Sequence, residues 1–263
     1  MVTTLDANIQ QFAEDVCKTA YDAYDPEYTD SIVMNPKTGE IYAMAQYPSF
    51  DLNDPMKLTD LGKTNISSTW DKMTDKQKND LANKAWKNFA ITDTFEPGSI
   101  YKPIVVAMAL EEGVIKSTDS FYCGGVKKIA DYEIHCHNRN GHGALSLTGV
   151  LAQSCNIGMM EIITKLGAEK YLQYQHDFGF GEKTGIDLPN EASASNLLYS
   201  LSNLHSAEMA TSSFGQGFNC TPIQAITAFS SIINGGKLMR PYVVSQVVDN
   251  NGNIVRENSP QVV

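Results

Sequence analysis

A serine and a lysine three residues apart, Ser99 and Lys102, are the first residues of the sequence whose types and spacing could do chemistry. A serine hydroxyl becomes a good nucleophile only when a base removes its proton. Residues three apart on a helix share one face, so the Lys102 amine could reach the Ser99 hydroxyl. The backbone N–H groups of a first helical turn would also suit an oxyanion. The Glu-Pro-Gly turn at residues 96–98 starts the helix at this serine, which favours a nucleophile over a capping serine beside a solvated lysine.

A second polar group consists of Ser154 and Asn156, which are separated by one cysteine. We expect it at a break between two helices, where side chains can project into a cleft. A hydroxyl there can relay protons, and an amide can bind a peptide carbonyl. Taken alone, this pattern is equally typical of a capped helix end.

The elements that must position these residues follow from hydrophobic periodicity and turn residues. Helices are predicted at about residues 6–24, 74–89, 99–112, 147–153, 157–166 and 222–234. Hairpins are predicted at residues 30–47 and in the tail from 242 to 255, and residues 117–143 are predicted to be rich in turns. Strands at the two ends with helices between them indicate an α+β fold.

Ser99 and Lys102 match the SxxK motif of penicillin-binding proteins and β-lactamases, and Ser154 and Asn156 match their SxN motif. Further segments fit the same family in order, at residues 4–10, 35–44, 47–51, 141–143, 178–181, 214–217 and 221–222. The chain therefore resembles the transpeptidase domain of class B penicillin-binding proteins, closest to the elongation, division and sporulation members.

The resemblance implies one transpeptidase domain over residues 1–263, with a helical subdomain beside an antiparallel sheet, as in serine β-lactamases. Ser99 would attack the D-Ala-D-Ala carbonyl of a peptidoglycan stem peptide, with Lys102 as the base. Ser154 would pass the proton to the leaving D-alanine, and Asn156 would orient the peptide. The acyl-enzyme would pass to an amine of a neighbouring stem, and β-lactams would acylate Ser99 as inhibitors.

The family also has a third motif, Lys-Thr-Gly followed by Thr or Ser, on a strand beside the active site. Two such triplets occur here, at residues 37–39 and 183–185. We interpret both as structural, the first in a hairpin turn and the second in a glycine-rich loop. We therefore expect the chain to stop before the third motif, with the C-terminal strands missing.

Two alternatives stay open: a serine β-lactamase-like hydrolase, and an inactive fragment or binding module that lacks the third motif. Other chemistries are disfavoured. Residues 179–184 lack the spacing of a phosphate-binding loop, residues 215–217 lack the third glycine of a dinucleotide fingerprint, and the sequence has no GxSxG elbow.

Composition narrows the possible partners. The formal net charge is −10 and 42% of the residues are hydrophobic, which indicates a globular protein that does not bind nucleic acid. Neither a membrane anchor nor a signal peptide is evident in the sequence. The resemblance implies the extracytoplasmic face of the bacterial membrane for the full-length protein, and contacts with other cell-wall synthesis proteins through missing regions.

Cysteines and histidines cluster between residues 123 and 142, at Cys123, His135, Cys136, His137 and His142. Zinc ligands usually come in closer pairs. A polar loop with Cys123 and Cys136 free or paired is the alternative that we favour. The sequence therefore predicts no metal and no cofactor.

Overall fold

Helices and short antiparallel strands make up the structure, a computed structural model that describes residues 1–56, 58 and 69–263. The α-helices among these residues are α1 (Ala7–Tyr24), α2 (Asp75–Ala85), α3 (Phe89–Thr92), α4 (Lys102–Glu111), α5 (Leu147–Ala152), α6 (Asn156–Leu166), α7 (Ala168–Asp177), α8 (Ser206–Ser212) and α9 (Pro222–Ile233). The strands are β1 (Val2–Thr3), β2 (Thr29–Met34), β3 (Ile41–Tyr47), β4 (Ser120–Cys123), β5 (Val126–Ile129), β6 (Tyr132–His135), β7 (Gly143–Ser146), β8 (Val244–Val248) and β9 (Ile254–Glu257). None of the described helices has the length and apolar character that crossing a bilayer requires.

The residues group into two compact units. The sheet unit contains Met1–Asp93, Gly185–Ala192 and Arg240–Gln261. The helical unit contains Thr94–Thr184, Ser193–Met239 and Val262–Val263. This grouping does not test the prediction of one domain over residues 1–263, which stays a prediction.

The sheet unit is built on the contact between α1 and the β2–β3 hairpin. Asp6 caps α1, because its carboxylate accepts hydrogen bonds from two backbone N–H groups of the first turn. Ala13 and Cys17 of α1 pack against Ala43 and Ala45 of β3, and all four side chains are buried. Such small side chains let the helix lie close to the sheet. The helix and hairpin predicted for this part of the sequence are confirmed.

The turn between β2 and β3 contains the Lys-Thr-Gly triplet at residues 37–39, as predicted. Asn35 organises it: its side chain accepts from the Lys37 N–H at 3.0 Å, and its carbonyl accepts from the Gly39 N–H at 2.9 Å. Gly39 has a φ of 82°, which glycine adopts without strain. The tail hairpin, β8 and β9, also forms as predicted, and β1 joins it in the strand order β1-β8-β9.

The helical unit surrounds α4, whose buried apolar residues face several sides. Ile104, Val105, Met108 and Ala109 are each 2% exposed or less, and α4 contacts α6, α7 and α9. A helix that is apolar on all sides belongs inside a core. Lys102 is the first residue of α4, so the packing of this helix carries a lysine into the interior.

Several predicted elements differ from the structure. Residues 117–143 are not only turns, because β4 pairs with β7 and β5 pairs with β6. Each of these four strands has only four residues, and sequences such as Val-Lys-Lys-Ile in β5 do not alternate between apolar and polar residues. The helix predicted to run to residue 89 ends at Ala85, and Trp86 after it is 42% exposed and donates to the Pro55 carbonyl at 3.0 Å. Helices α7 and α8 were not predicted.

Candidate active site

Ser99 lies in a single 3-10 turn, Gly98–Tyr101, that leads directly into α4. The sequence predicted a helix from about Ser99 to Glu112, and the structure has a 3-10 turn followed by α4 over this stretch. Ser99 is exposed, whereas Tyr101 in the same turn is fully buried. The turn therefore presents the hydroxyl to solvent on a backbone that is anchored in the core.

Lys102 is only 2% exposed, and its amine is surrounded by oxygen acceptors. Its Nζ donates to the Ser154 carbonyl at 2.6 Å, to Ser154 Oγ at 2.9 Å and to Asn156 Oδ1 at 2.7 Å. An ammonium group has three donors, so these acceptors satisfy all of them. The two predicted groups, Ser99 with Lys102 and Ser154 with Asn156, thus come together in the structure.

The link from Lys102 to Ser99 runs through Ser154. Ser154 Oγ donates to Ser99 Oγ at 3.0 Å while it accepts from Lys102 Nζ. The sequence predicted that the lysine could reach Ser99 itself, but within the described residues the hydrogen bonds of its amine go to Ser154 and Asn156. The arrangement is therefore a three-member hydrogen-bond chain from amine to hydroxyl to hydroxyl.

The break between α5 and α6 places Ser154 and Asn156. Ser154 adopts a φ of 47°, an uncommon left-handed conformation for a residue other than glycine. Cys155 is the N-cap of α6, and Asn156 is the first residue of that helix. The Asn156 amide also donates to the His135 carbonyl at 3.4 Å. This confirms the predicted helix break.

Burial changes the acidity of the lysine. Removal from water lowers the pKa of Lys102 to about 8, and negative charge on Cys136 and Cys155 opposes this shift. The cause is that burial disfavours the charged form of an amine. The neutral fraction near pH 7 is then on the order of a tenth, far more than for a solvated lysine. Lys102 can therefore act as a base near neutral pH.

A glycine-rich segment, residues 214–217, holds the turn before Ser99. The Gly98 N–H donates to the Gly215 carbonyl at 2.8 Å, and the Gly217 N–H donates to Glu96 Oε1 at 2.8 Å. A Cβ on Gly215 would lie 2.2 Å from the Gly98 carbonyl oxygen, so only glycine fits there. Glu96 was not among the predicted site residues; its place directly before Pro-Gly was the signal available in the sequence.

Cys155, between the two polar residues of the SxN motif, belongs to a cluster of thiols. Its Sγ, those of Cys123 and Cys136, and a ring nitrogen of His142 all lie within 4.8 Å of one another. The sequence analysis considered Cys123, Cys136 and His142 for zinc. It missed Cys155 because this residue lies 13 residues after His142. All five cysteines of the chain are free and buried.

A family model described as the penicillin binding protein transpeptidase domain matches residues 31–263. The chain belongs to this family. Stage V sporulation protein D of Bacillus subtilis (strain 168) is 35% identical over 250 residues, which are 95% of this chain and 35% of that protein. A peptidoglycan D,D-transpeptidase FtsI homolog of Mesostigma viride is 33% identical over 83% of this chain and 34% of its own length. The chain spans about a third of the length of these curated relatives.

Solved structures of transpeptidase family members have the same fold. Penicillin binding protein 3 from Mycobacterium tuberculosis, solved in complex with aztreonam, matches with a TM-score of 0.80 and 25% identity. The match covers 99% of this chain and 53% of that one. The predicted family and the predicted α+β transpeptidase fold are both confirmed.

The contact between Gly215 and Gly98 leads to a prediction about the free energy of unfolding. Gly215→Ala adds a Cβ that collides with backbone, whereas Gly235→Ala adds one at a similarly positive φ of 88° with no atom within 4 Å. We expect the control to lower the free energy of unfolding by about 1–2 kcal/mol, and Gly215→Ala by at least about 2 kcal/mol more. Urea unfolding of the two variants and the parent measures this difference. Equal stabilities of the two variants would contradict the contact.

Proposed function

We propose that this chain carries the reactive serine of a peptidoglycan D,D-transpeptidase, which cross-links stem peptides through an acyl-serine intermediate and which β-lactams inhibit. The observation that carries the proposal is the hydrogen-bond chain from the Lys102 amine through Ser154 to Ser99. The names of several relatives as peptidoglycan D,D-transpeptidases support it. Since the chain spans about a third of those relatives, the proposal concerns the protein of which this sequence is part.

Acylation begins with a neutral Lys102. A neutral Lys102 Nζ can accept a hydrogen bond, so the Ser154 hydroxyl turns to donate to it and the Ser99 hydroxyl turns to donate to Ser154 Oγ. As Ser99 Oγ attacks the carbonyl carbon of the penultimate D-alanine, its proton moves to Ser154 Oγ, and the Ser154 proton moves to Lys102 Nζ. The 3.0 Å and 2.9 Å separations along this path suit proton transfer. When the tetrahedral intermediate collapses, the C–N bond breaks and the same groups return one proton to the leaving amine of D-alanine.

Asn156 is suited to orient the peptide. Its Oδ1 is occupied by Lys102 at 2.7 Å, while its amide nitrogen makes only a long contact of 3.4 Å with the His135 carbonyl. This N–H group can therefore turn to a substrate carbonyl with little loss of existing hydrogen bonding. In the second half-reaction an amine of a neighbouring stem would replace D-alanine, with Lys102 and Ser154 taking its proton.

The proposed substrate defines where the site acts. Peptidoglycan lies outside the cytoplasmic membrane of bacteria, so the site belongs at the extracytoplasmic face in the full-length protein. We propose other cell-wall synthesis proteins as its partners in the full-length protein. Aztreonam and ampicillin are bound in solved structures of penicillin binding protein 3, and we propose that β-lactams also acylate Ser99 here.

The first prediction concerns the nucleophile. The protein of which this chain is part should gain the mass of one penicillin when it is incubated with a fluorescent penicillin, and Ser99→Ala should abolish labelling. Ser193→Ala, at an exposed-surface hydrogen bond with Ser195, is a matched control that should label as the parent does. Labelling that survives in the Ser99→Ala variant would refute the assignment. Rapid loss of the label by hydrolysis would instead favour the β-lactamase-like alternative.

A second prediction follows from the pKa of Lys102, which burial lowers to about 8. The base must be neutral, so the acylation rate should rise with pH through about 8 and then level off. Lys102→Arg keeps the charge but cannot lose it in this range, so acylation should fall by at least about a thousandfold. Stopped-flow labelling across pH measures both. A rate independent of pH between about 6 and 9 would show that Lys102 is not the base.

The third motif generates another prediction. Both Lys-Thr-Gly triplets lie outside strands in the described residues, and Lys183 is exposed on an irregular loop. Lys183→Ala should therefore leave the acylation rate within about threefold of the parent, as expected for a surface change. The measurement is the same penicillin labelling, with Lys102→Ala as the comparison. A collapse as large as that of the Lys102 variant would mean that residues 183–185 are the third motif after all.

A further inference from the structure

Three thiols and one imidazole meet beside the proposed active site. The Sγ atoms of Cys123, Cys136 and Cys155 and a ring nitrogen of His142 lie within 4.8 Å of one another. The three cysteines are each 2% exposed or less, and His142 is half-buried. Four soft or borderline donors therefore converge where water has little access.

The spacing suits a tetrahedral metal ion. Zinc lies about 2.3 Å from a thiolate and about 2.0 Å from an imidazole nitrogen, so neighbouring ligand atoms on one ion are about 3.5–3.8 Å apart. Cys136 Sγ and His142 Nδ1 are 3.7 Å apart. The widest separation in the cluster is within 4.8 Å, so each atom would move by less than about 1 Å to bind.

The backbone holds the donors in place. Cys123 ends β4, Cys136 follows β6, His142 precedes β7, and Cys155 caps α6. The His142 N–H donates to the Cys123 carbonyl at 3.0 Å, and the Cys136 N–H donates to the Gly125 carbonyl at 2.9 Å. The ligands thus come from four separate elements, which explains why their sequence spacing did not look like a zinc motif.

Neither hydrophobic packing nor a disulfide accounts for the whole group. Buried single cysteines pack as small apolar residues, as Cys17 does against Ala43 and Ala45. A disulfide would use two of the thiols and leave the third beside the imidazole. His137 Nδ1 also lies 3.8 Å from Cys136 Sγ, where an N–H group can stabilise a thiolate in the manner of second-shell partners of metal ligands.

We propose that Cys123, Cys136, His142 and Cys155 bind one zinc ion in a closed, structural site. Thiolate and imidazole donors in a tetrahedral set favour zinc over calcium or magnesium, and four protein ligands leave no position for a substrate. The binding of zinc does not rest on the proposed function. A zinc ion on Cys155 would fix the positions of Ser154 and Asn156, because Cys155 lies between them in the chain.

The first test is the metal content of the chain, purified without chelators from cells grown with zinc. Plasma mass spectrometry should find about one zinc per chain. Cys123→Ala and His142→Gln should each lower the zinc content at least about tenfold. Cys220→Ala, a buried cysteine outside the cluster, and His205→Gln, an exposed histidine, are matched controls that should keep it. Equal zinc in the cluster variants and the parent would overturn the assignment of ligands.

The second test uses the unmodified chain and so does not depend on the folding of any variant. Cobalt added after removal of zinc should give the intense visible absorption of tetrahedral thiolate coordination, and a chelator should lower the midpoint of thermal unfolding by at least about 5 °C. A chain that contains less than about 0.1 zinc and does not bind cobalt overturns the proposal. A disulfide within the cluster of the freshly purified chain, seen by mass spectrometry as the loss of two hydrogens, overturns it as well.

Discussion

The burial of one amine constrains the structure around the active site. Lys102 is 2% exposed at the start of the buried helix α4, and a lysine loses several kcal/mol of hydration when it is removed from water. The loss is tolerated because the Ser154 carbonyl, the Ser154 hydroxyl and the Asn156 side chain accept its three hydrogen bonds. The start of α6 must therefore lie where it does, and the same burial that requires these partners lowers the pKa of the amine to about 8, so that a large part of it is neutral near pH 8.

Ser99, the proposed nucleophile, is held from a second direction by the segment at residues 214–217. This segment accepts the Gly98 N–H and donates to Glu96, so the backbone on the N-terminal side of Ser99 is fixed while its hydroxyl stays exposed. Positions held by backbone hydrogen bonds lose little entropy when a substrate binds. The close contact of Gly98 with Gly215 therefore fixes the position of Ser99, as the oxygen acceptors fix the position of the Lys102 amine.

The sequence indicated some of these features better than others. Long elements with caps and clear periodicity, such as α1 and α9, were predicted almost to the residue, and the four proposed site residues, predicted from motif and resemblance, lie together in the structure. The strands β4 to β7 were missed because they are short and because sequences such as Val-Lys-Lys-Ile in β5 do not alternate between apolar and polar residues. Three members of the thiol cluster were considered for zinc, but Cys155 was missed and the zinc interpretation was disfavoured. The members are 13, 6 and 13 residues apart, and only the pairing of β4 with β7 and the helix break at Cys155 bring them together.

The left-handed backbone of Ser154 is unfavourable for a serine, yet the serine hydroxyl makes hydrogen bonds that glycine cannot make. A φ of 47° costs an ordinary residue on the order of 1 kcal/mol, and glycine would adopt it freely. Glycine, however, has no hydroxyl to join Lys102 with Ser99. Glycine also has no side-chain acceptor for the buried Lys102 amine, and leaving that donor unpaired costs on the order of 1–3 kcal/mol, more than the strain that glycine would relieve. A redesign that scored only backbone conformation would therefore choose glycine at this position, remove the link to Ser99 and destabilise the fold as well.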